Sequence, residues 1–250
     1  MTQHYRVKLA STDCELRAAQ RLRYRVFVEE LGGGGDMVDH DACLECDRFD
    51  PFFDHMIVMP AGSDEVIGVY RLLRSARAEQ AGGFYSEDEY DLSPLKNSGR
   101  TLLELGRSCL HRDHRGGLAM HRLWAGVAEY IRAHRIEILF GVASFHGTDV
   151  QALAAPLSLL HHRHLAPSEL RVTARAGAFQ RMDLIAEDAL DRRTALLEVP
   201  SLIKAYLRLG GCVGEGAFID YGFNTTDVCL VLDTAKMNER QARLYDGRRA

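Results

Sequence analysis

The sequence predicts an α/β fold, a mixed twisted sheet flanked by helices. Three observations carry this reading. Short apolar runs rich in β-branched residues alternate with longer helical patterns in the order β-α-β-β, then β-α-β-α, then a further stretch. The segment Ile136–Ala143 is almost continuously apolar, as a strand buried on both faces should be. Met120, Leu123, Trp124, Val127 and Ile131 recur at the spacing of one helix face.

The elements follow in order. Tyr5–Leu9 alternates and reads as a strand, and Asp13 is placed to cap a helix over about residues 14–31, with Leu16, Ala19, Leu22 and Val26 on one face. Gly32–Gly35 ends that helix and opens an acidic loop to about Asp54. His55–Met59 and Val66–Leu73 form a hairpin around Ala61-Gly62-Ser63-Asp64. A polar stretch with a short helix leads to Arg100, and Leu102–Leu110 is strand-like. The turn His114-Arg115-Gly116-Gly117 then precedes the Met120–Ile131 helix. Residues 149–162 read as helix, and Leu170–Ile185 as one or two strands. Pro200 opens a helix over Ser201–Leu209. Cys212–Ile219 and Asp227–Leu232 read as strands. A single domain over 1–250 is expected, with a core of about 1–165 and a C-terminal extension of about 166–250.

Composition excludes several classes. The chain is 46% hydrophobic and 26% charged, which is globular rather than disordered. A net charge of −4 argues against bulk nucleic-acid binding. The first residues show no apolar signal core, and no run of about 18 uncharged apolar residues offers a membrane span. Six scattered cysteines read as reduced thiols, so a cytoplasmic location is expected. Charge is unevenly placed: residues 29–65 carry eleven acids against Arg48, while residues 100–182 carry eleven arginines against six acids. That pattern suits a cationic small substrate on one side and an acidic macromolecular partner on the other.

His40-x-x-Cys43-x-x-Cys46 invites a metal reading, but it lacks a second cysteine pair, and no metal is expected. A serine hydrolase lacks its Gly-x-Ser-x-Gly elbow.

The strand, glycine turn and amphipathic helix around residue 116 form a candidate phosphate cradle, in which backbone N–H groups at a helix start face an anion. This layout resembles the GCN5-related N-acetyltransferase superfamily, whose pyrophosphate loop reads Arg/Gln-x-x-Gly-x-Gly/Ala. The matching register is His114-Arg115-Gly116-Gly117-Leu118-Ala119, with His in place of the first Arg or Gln. The resemblance implies that His114, Arg115, Gly116, Gly117 and Ala119 hold a phosphopantetheine arm. The departure at His114 suits a donor with one phosphodiester, as acyl carrier protein presents, rather than coenzyme A.

Four further features, Arg23-x-x-x-Phe27, Glu45-x-Asp47-x-x-Asp50, Arg71 and Glu104-x-x-Arg107, resemble the acyl-homoserine-lactone synthases in kind and order. The chain departs from them in its longer C-terminus and in lacking a Trp after the first helix. The phrases Tyr24-Arg25-Val26-Phe27-Val28-Glu29-Glu30, Phe52-Phe53-Asp54-His55, Glu104-Leu105-Gly106-Arg107-Ser108-Cys109 and Pro200–Gly210 look like the ornithine N-acyltransferases of bacterial ornithine-lipid synthesis. That resemblance implies transfer of a 3-hydroxyacyl chain from acyl carrier protein to the α-amine of L-ornithine. Lyso-ornithine lipid would be the product, with no tightly bound cofactor and with peripheral contact with the inner membrane. The alternatives are a lactone synthase using S-adenosylmethionine and a non-enzymatic, haemolysin-like membrane-interacting protein. Ser201–Leu209 is short for the latter.

The chemistry needs a base, because an α-amine with a pKa of ~8 is partly protonated at neutral pH. Glu104 is the first candidate and Glu45 the second; the plainer role of Glu104 is to pair with Arg107 or Arg71. Asp47, Asp50 and Glu45 suit the ornithine ammonium, and Arg23 suits its carboxylate. Phe27, Arg71 and Arg107 complete the substrate set. The same acids and arginines also suit mutual pairing that holds the loop, and the sequence leaves both arrangements open.

Overall fold

The computed structural model describes residues 4–35 and 37–238. In chain order the regular elements are β1 (Tyr5–Leu9), α1 (Asp13–Arg23), β2 (Asp54–Pro60), β3 (Gly68–Arg74), α2 (Ser75–Ala81), β4 (Tyr90–Asp91), α3 (Ser93–Lys96), β5 (Leu102–Leu110) and α4 (Leu118–His134). They continue with β6 (Ile138–His146), α5 (Ala154–His164), β7 (Thr173–Ala174), β8 (Phe179–Gln180), α6 (Arg192–Glu198), α7 (Ser201–Arg208), β9 (Cys212–Val213), β10 (Ala217–Asp220) and β11 (Thr225–Asp233). The chain divides into two units. The first gathers the described residues of Met1–Gly82 with Leu105–Ile136, and the second those of Gly83–Glu104 with Glu137–Glu239.

In the first unit, β1 runs antiparallel to β2 from Tyr5↔Pro60 to Leu9↔Met56, and β2 pairs with β3 from Asp54↔Leu72 to Val58↔Gly68. The remainder of β5 lies beside β3. Helix α1 buries Ala19 and Leu22 with Val26 against Ile57, Met59 and Val69. Its cap is Thr12, whose side chain accepts from the Glu15 N–H at 3.2 Å. The expected Asp13 cap is thereby corrected: Thr12 holds the extended conformation of a cap, and Asp13 already lies inside the first turn, where its carboxylate favours the positive helix end. The helix also does not run uniformly to residue 31. After Arg23 it widens into π-helical turns over Tyr24–Glu30, a change of pitch that apolar periodicity does not encode.

Helix α4 packs through Trp124, which meets Tyr70 edge-on at 6.5 Å between ring centroids. A Cβ at Gly126 would stand 2.8 Å from both Met56 Sδ and Val7 Cγ1, so this glycine lets α4 lie close to β1 and β2.

In the second unit, the first residues of β5 pair in parallel with β6, from Leu102↔Ile138 to Glu104↔Phe140. Strand β11 runs antiparallel to β6 through Thr225↔His146 and on to Asp233↔Ile138. Parallel and antiparallel pairs therefore share one sheet, as the predicted mixed α/β class requires. Strand β10 extends it from β11, and β8 from β10. The segment expected to form one strand over Cys212–Ile219 is broken into β9 and β10. Gly216 there takes the left-handed φ of +76°, and a Cβ on Gly214 would approach the Val172 carbonyl to 2.8 Å. Helix α6 is absent from the sequence reading, and its Asp191 cap accepts from the Arg193 and Thr194 N–H groups.

All six cysteines are free thiols. Among the described residues no helix is long and apolar enough to cross a membrane.

Candidate active site

The first unit holds a closed cluster of three arginines and three acids. Arg23, at the end of α1, points inward because α1 buries this face against β2 and β3. Its Nε lies 2.5 Å from Glu45 Oε2, and its two terminal nitrogens each donate to Asp50 at 2.8 Å. Arg71 on β3 donates from Nη1 to Asp47 Oδ2 and to Asp50 Oδ1, both at 2.7 Å. Arg107 on β5 donates from Nε to Glu45 Oε1 at 3.0 Å, and its Nη2 stands 3.8 Å from Asp47 Oδ2. Three positive and three negative charges balance. Of the two arrangements the sequence leaves open, the mutual pairing is the one observed.

Burial is graded across this cluster. The side chains of Arg23, Arg71, Glu45 and Asp50 are 0–4% exposed, whereas Arg107 and Asp47 reach 15% and 16%. Burial alone would raise the carboxyl pKa values. For Glu45, the charges of Arg107, Arg23 and Arg71 overcome that effect and hold it down at about 2. Arg23, then Arg71, likewise holds Asp50 well below the ordinary carboxylate range. The same acids hold the Arg23 guanidinium protonated against the opposing effect of its own burial.

Sequence reasoning misses three supports of this cluster. Gln20 donates to Asp50 Oδ2 at 2.9 Å. The Phe53 ring lies 4.3 Å from the Arg71 guanidinium carbon, a cation–π contact. His55 is buried, with Nε2 3.0 Å from the Asp50 carbonyl oxygen, and burial lowers its pKa. The signal for His55 is its register: it stands directly across from Arg71 in the β2–β3 pair, on the same face.

Arg107 has a second distinction. Its φ is +53°, left-handed for a non-glycine residue inside a strand. Residues 106–108 are the partly exposed section of an otherwise buried β5. Such backbone costs about 1–2 kcal/mol, and the bridge to Glu45 helps hold it. Phe27, on the π-helical segment, packs at the edge of the core cluster that contains Leu22, Val26 and Cys109.

Glu104 belongs to the second unit and is 1% exposed. Its Oε2 accepts from the Tyr85 N–H at 2.8 Å, and its Oε1 from the Ser86 N–H at 2.6 Å and the Ser86 hydroxyl at 2.5 Å. The carboxylate thereby fixes the 3-10 turn Tyr85–Asp88.

The glycine turn lies in the first unit. His114 Nδ1 stands 3.3 Å from the Tyr5 hydroxyl. Arg115 donates from Nε to the Leu110 carbonyl at 3.0 Å and from Nη2 to Glu30 Oε2 at 2.7 Å. Gly116 needs its φ of +76°, and nothing lies within 4 Å of where a Cβ would stand on Gly116 or Gly117. Gly117 caps α4 with no side-chain bond to the first turn, and Ala119 is fully buried beneath it. The first-turn N–H groups of α4 thus have no side-chain cap from Gly117.

The His40, Cys43 and Cys46 side chains have separate partners. His40 meets the Tyr24 hydroxyl at 3.0 Å, and the two thiols face the His40 and Met37 carbonyls at 3.6 Å and 3.1 Å.

Residues 22–125 match the family described as acetyltransferase (GNAT) domain. Two solved structures share the fold. BjaI, a CoA-dependent acyl-homoserine lactone synthase solved with MTA, is 14% identical with a TM-score of 0.55, covering 98% of this chain and 89% of that one. The AHL synthase LasI is 16% identical with a TM-score of 0.50, covering 93% and 91%. Sequence relatives are much nearer. The L-ornithine N(alpha)-acyltransferase of Brucella abortus is 41% identical over 96% of this chain and 88% of its own length. That of Rhodobacter capsulatus is 60% identical over 98% of this chain and 95% of its own. Identity at that level, along nearly the whole of both chains and on an acetyltransferase fold, makes this chain a member of the L-ornithine N(alpha)-acyltransferase family.

Proposed function

We propose that this N-acyltransferase moves a 3-hydroxyacyl chain from acyl carrier protein to the α-amine of L-ornithine, giving lyso-ornithine lipid as the first step of ornithine-lipid synthesis. The observation that carries the acceptor is the 60% identity to a relative of that name over nearly the full chain. No tightly bound cofactor takes part; the phosphopantetheine thioester is a co-substrate. The open turn at His114, Arg115, Gly116, Gly117 and Ala119 receives its phosphodiester. The enzyme works in the cytoplasm, as one acyltransferase domain, and hands its lipid product to the inner membrane by peripheral contact.

The graded burial of the arginine–acid cluster divides the labour. Arg107 and Asp47 reach solvent, so the contacts with ornithine fall to them: Arg107 to the carboxylate and Asp47 to the ammonium. Arg23, Arg71, Asp50 and Glu45 are buried and hold these two in place. Glu45, held at about 2, is a weak proton acceptor. Glu104 is therefore the assigned base, accepting the α-ammonium proton directly or through water, and the freed amine attacks the thioester carbonyl. The C–N bond forms to give a tetrahedral oxyanion; as this collapses the C–S bond breaks, and the departing thiolate takes the remaining proton from nitrogen and leaves as the thiol of the carrier arm. A backbone N–H of β5 near Arg107 stabilises the oxyanion.

The test is direct. Purified enzyme is incubated with 3-hydroxyacyl carrier protein and ornithine, lysine or S-adenosylmethionine, and the products are read by mass spectrometry. N-acyl-ornithine supports the assignment. An acyl-homoserine lactone as the main product replaces it with the synthase reading.

A further inference from the structure

One basic group of the cradle at the start of α4 is already paired with an acid of the same chain. Arg115, the guanidinium nearest the glycine pair in sequence, gives Nη2 to Glu30 at 2.7 Å. Glu30 is the last residue of the π-helical segment Tyr24–Glu30. His111 Nδ1 accepts from the Asp113 N–H at 3.4 Å and caps the 3-10 turn ahead of α4. At the position where the resemblance would place Arg or Gln stands His114, engaged with the Tyr5 hydroxyl. Beside Gly116 and Gly117, whose Cβ positions are open, the first turn of the seventeen-residue α4 has no side-chain cap, and its N–H donors and partial positive charge remain together with the exposed Arg112.

Such a site suits little negative charge. A phosphopantetheine arm on a carrier protein carries one phosphodiester charge. Coenzyme A brings the same arm with a pyrophosphate and a 3′-phosphate, about four negative charges by ordinary phosphate ionisation. The Glu30 carboxylate repels each of them and holds Arg115 Nη2, the nitrogen it accepts from, away from a phosphate.

We propose that Glu30 is a donor-selectivity residue. By neutralising Arg115 at the start of α4, it leaves enough positive potential for a singly charged phosphodiester and too little for the nucleotide of coenzyme A. This rests on the carrier-protein reading above. Glu30 acts through charge and through Arg115, so it is a positioning residue for the donor rather than part of the chemistry.

The experiment compares kcat/KM for three donors of one acyl chain: acyl carrier protein thioester, acyl-coenzyme A and the uncharged acyl-pantetheine. Wild type and Glu30→Gln are measured at low and physiological salt. Glu30→Gln should raise kcat/KM for acyl-coenzyme A about three- to tenfold at low salt. The carrier-protein donor should gain about twofold or less, and acyl-pantetheine should not respond. Adding Arg115→Gln to Glu30→Gln should remove most of the gain, because the freed guanidinium produces it. An unchanged coenzyme A to carrier-protein ratio in Glu30→Gln overturns the proposal. So does an equal change with all three donors, which marks a structural effect. Failure of the carrier-protein reading shows separately, as wild type using acyl-coenzyme A as well as the carrier-protein donor.

Discussion

Arg23 and Asp50 meet in a two-pronged ion pair, Nη1 to Oδ1 and Nη2 to Oδ2 at 2.8 Å each, with side chains 0% and 4% exposed. Taking two charges out of water costs several kcal/mol per ion. The cost is offset here because Asp50 also accepts from Arg71 and Gln20, so every strong acceptor direction is used. The pair ties the end of α1 to the acidic loop and, through Arg71, to β3. It gives Arg107 and Asp47, the partly exposed members of the cluster, a fixed base.

Replacing Asp50 with Asn should therefore be severe. It leaves Arg23 and Arg71 with one uncompensated buried charge. The expected loss is about 3–5 kcal/mol in urea unfolding. Asp47→Asn, at a partly exposed position, should cost far less stability and instead raise KM for ornithine. Similar losses of stability in both variants would refute the division between holding and contacting residues.

Stability should fall in two stages as pH drops. Burial keeps His55 neutral in the fold, below its ordinary 6.5, so the unfolded chain binds the extra proton first. The contribution of His55 is full above that value and is lost as pH falls through it toward the lower folded pKa. The Glu45 contribution is present above its unfolded value of 4.5 and is lost as pH falls toward about 2. Its size is about 3 kcal/mol by linkage. Denaturant midpoints from pH 8 to 3 should show both stages, and His55→Asn should abolish only the upper one. A flat profile above pH 5 in wild type would contradict the buried neutral histidine.

Glu104→Gln tests the base, and the structure shows what accompanies it. Both carboxylate oxygens accept from donors of Tyr85 and Ser86. A Gln amide must turn its NH2 toward one of those donors, which costs about 1–3 kcal/mol of stability. Turnover should fall ~10²-fold or more. Ser86→Ala loosens the same turn without touching the carboxylate charge, so it separates the two effects. If Ser86→Ala loses as much turnover as Glu104→Gln, the carboxylate acts only as an anchor.

The sequence makes some of this legible and not the rest, for physical reasons. Periodicity locates α4 and β6 because each buries a face with a regular spacing. It also marks the helix that delivers Arg23, since Ala19, Leu22 and Val26 share its apolar side. The acids at 45, 47 and 50 stand out by composition, but their inward pairing does not. The loop that carries them has no period, and its conformation is set by three arginines from α1, β3 and β5. The π-helical turn at Tyr24–Glu30 is likewise invisible, although it ends on the carboxylate that meets Arg115. Helix α6 escapes because four of its seven residues are Arg, Thr and Glu, with Ala195 alone buried.

The donor is open to a salt experiment. Acyl carrier proteins are acidic, and Arg112 is an exposed cation in the 3-10 turn ahead of α4, with Arg122 in the second turn of that helix. Neither is assigned to ornithine. Charged encounter between two proteins is screened beyond a Debye length of ~8 Å at physiological salt, so KM for the carrier-protein donor should rise with ionic strength. A neutral acyl-pantetheine donor should show no such dependence. Replacing Arg112 and Arg122 together with Glu should raise KM for the carrier protein about tenfold or more at low salt. The same change should flatten its salt dependence and leave KM for ornithine within about twofold. The sign matters more than the size, because a docking surface built on positive charge must lose both affinity and salt sensitivity when reversed. If the double variant keeps the wild-type salt slope, carrier-protein docking lies elsewhere on the chain.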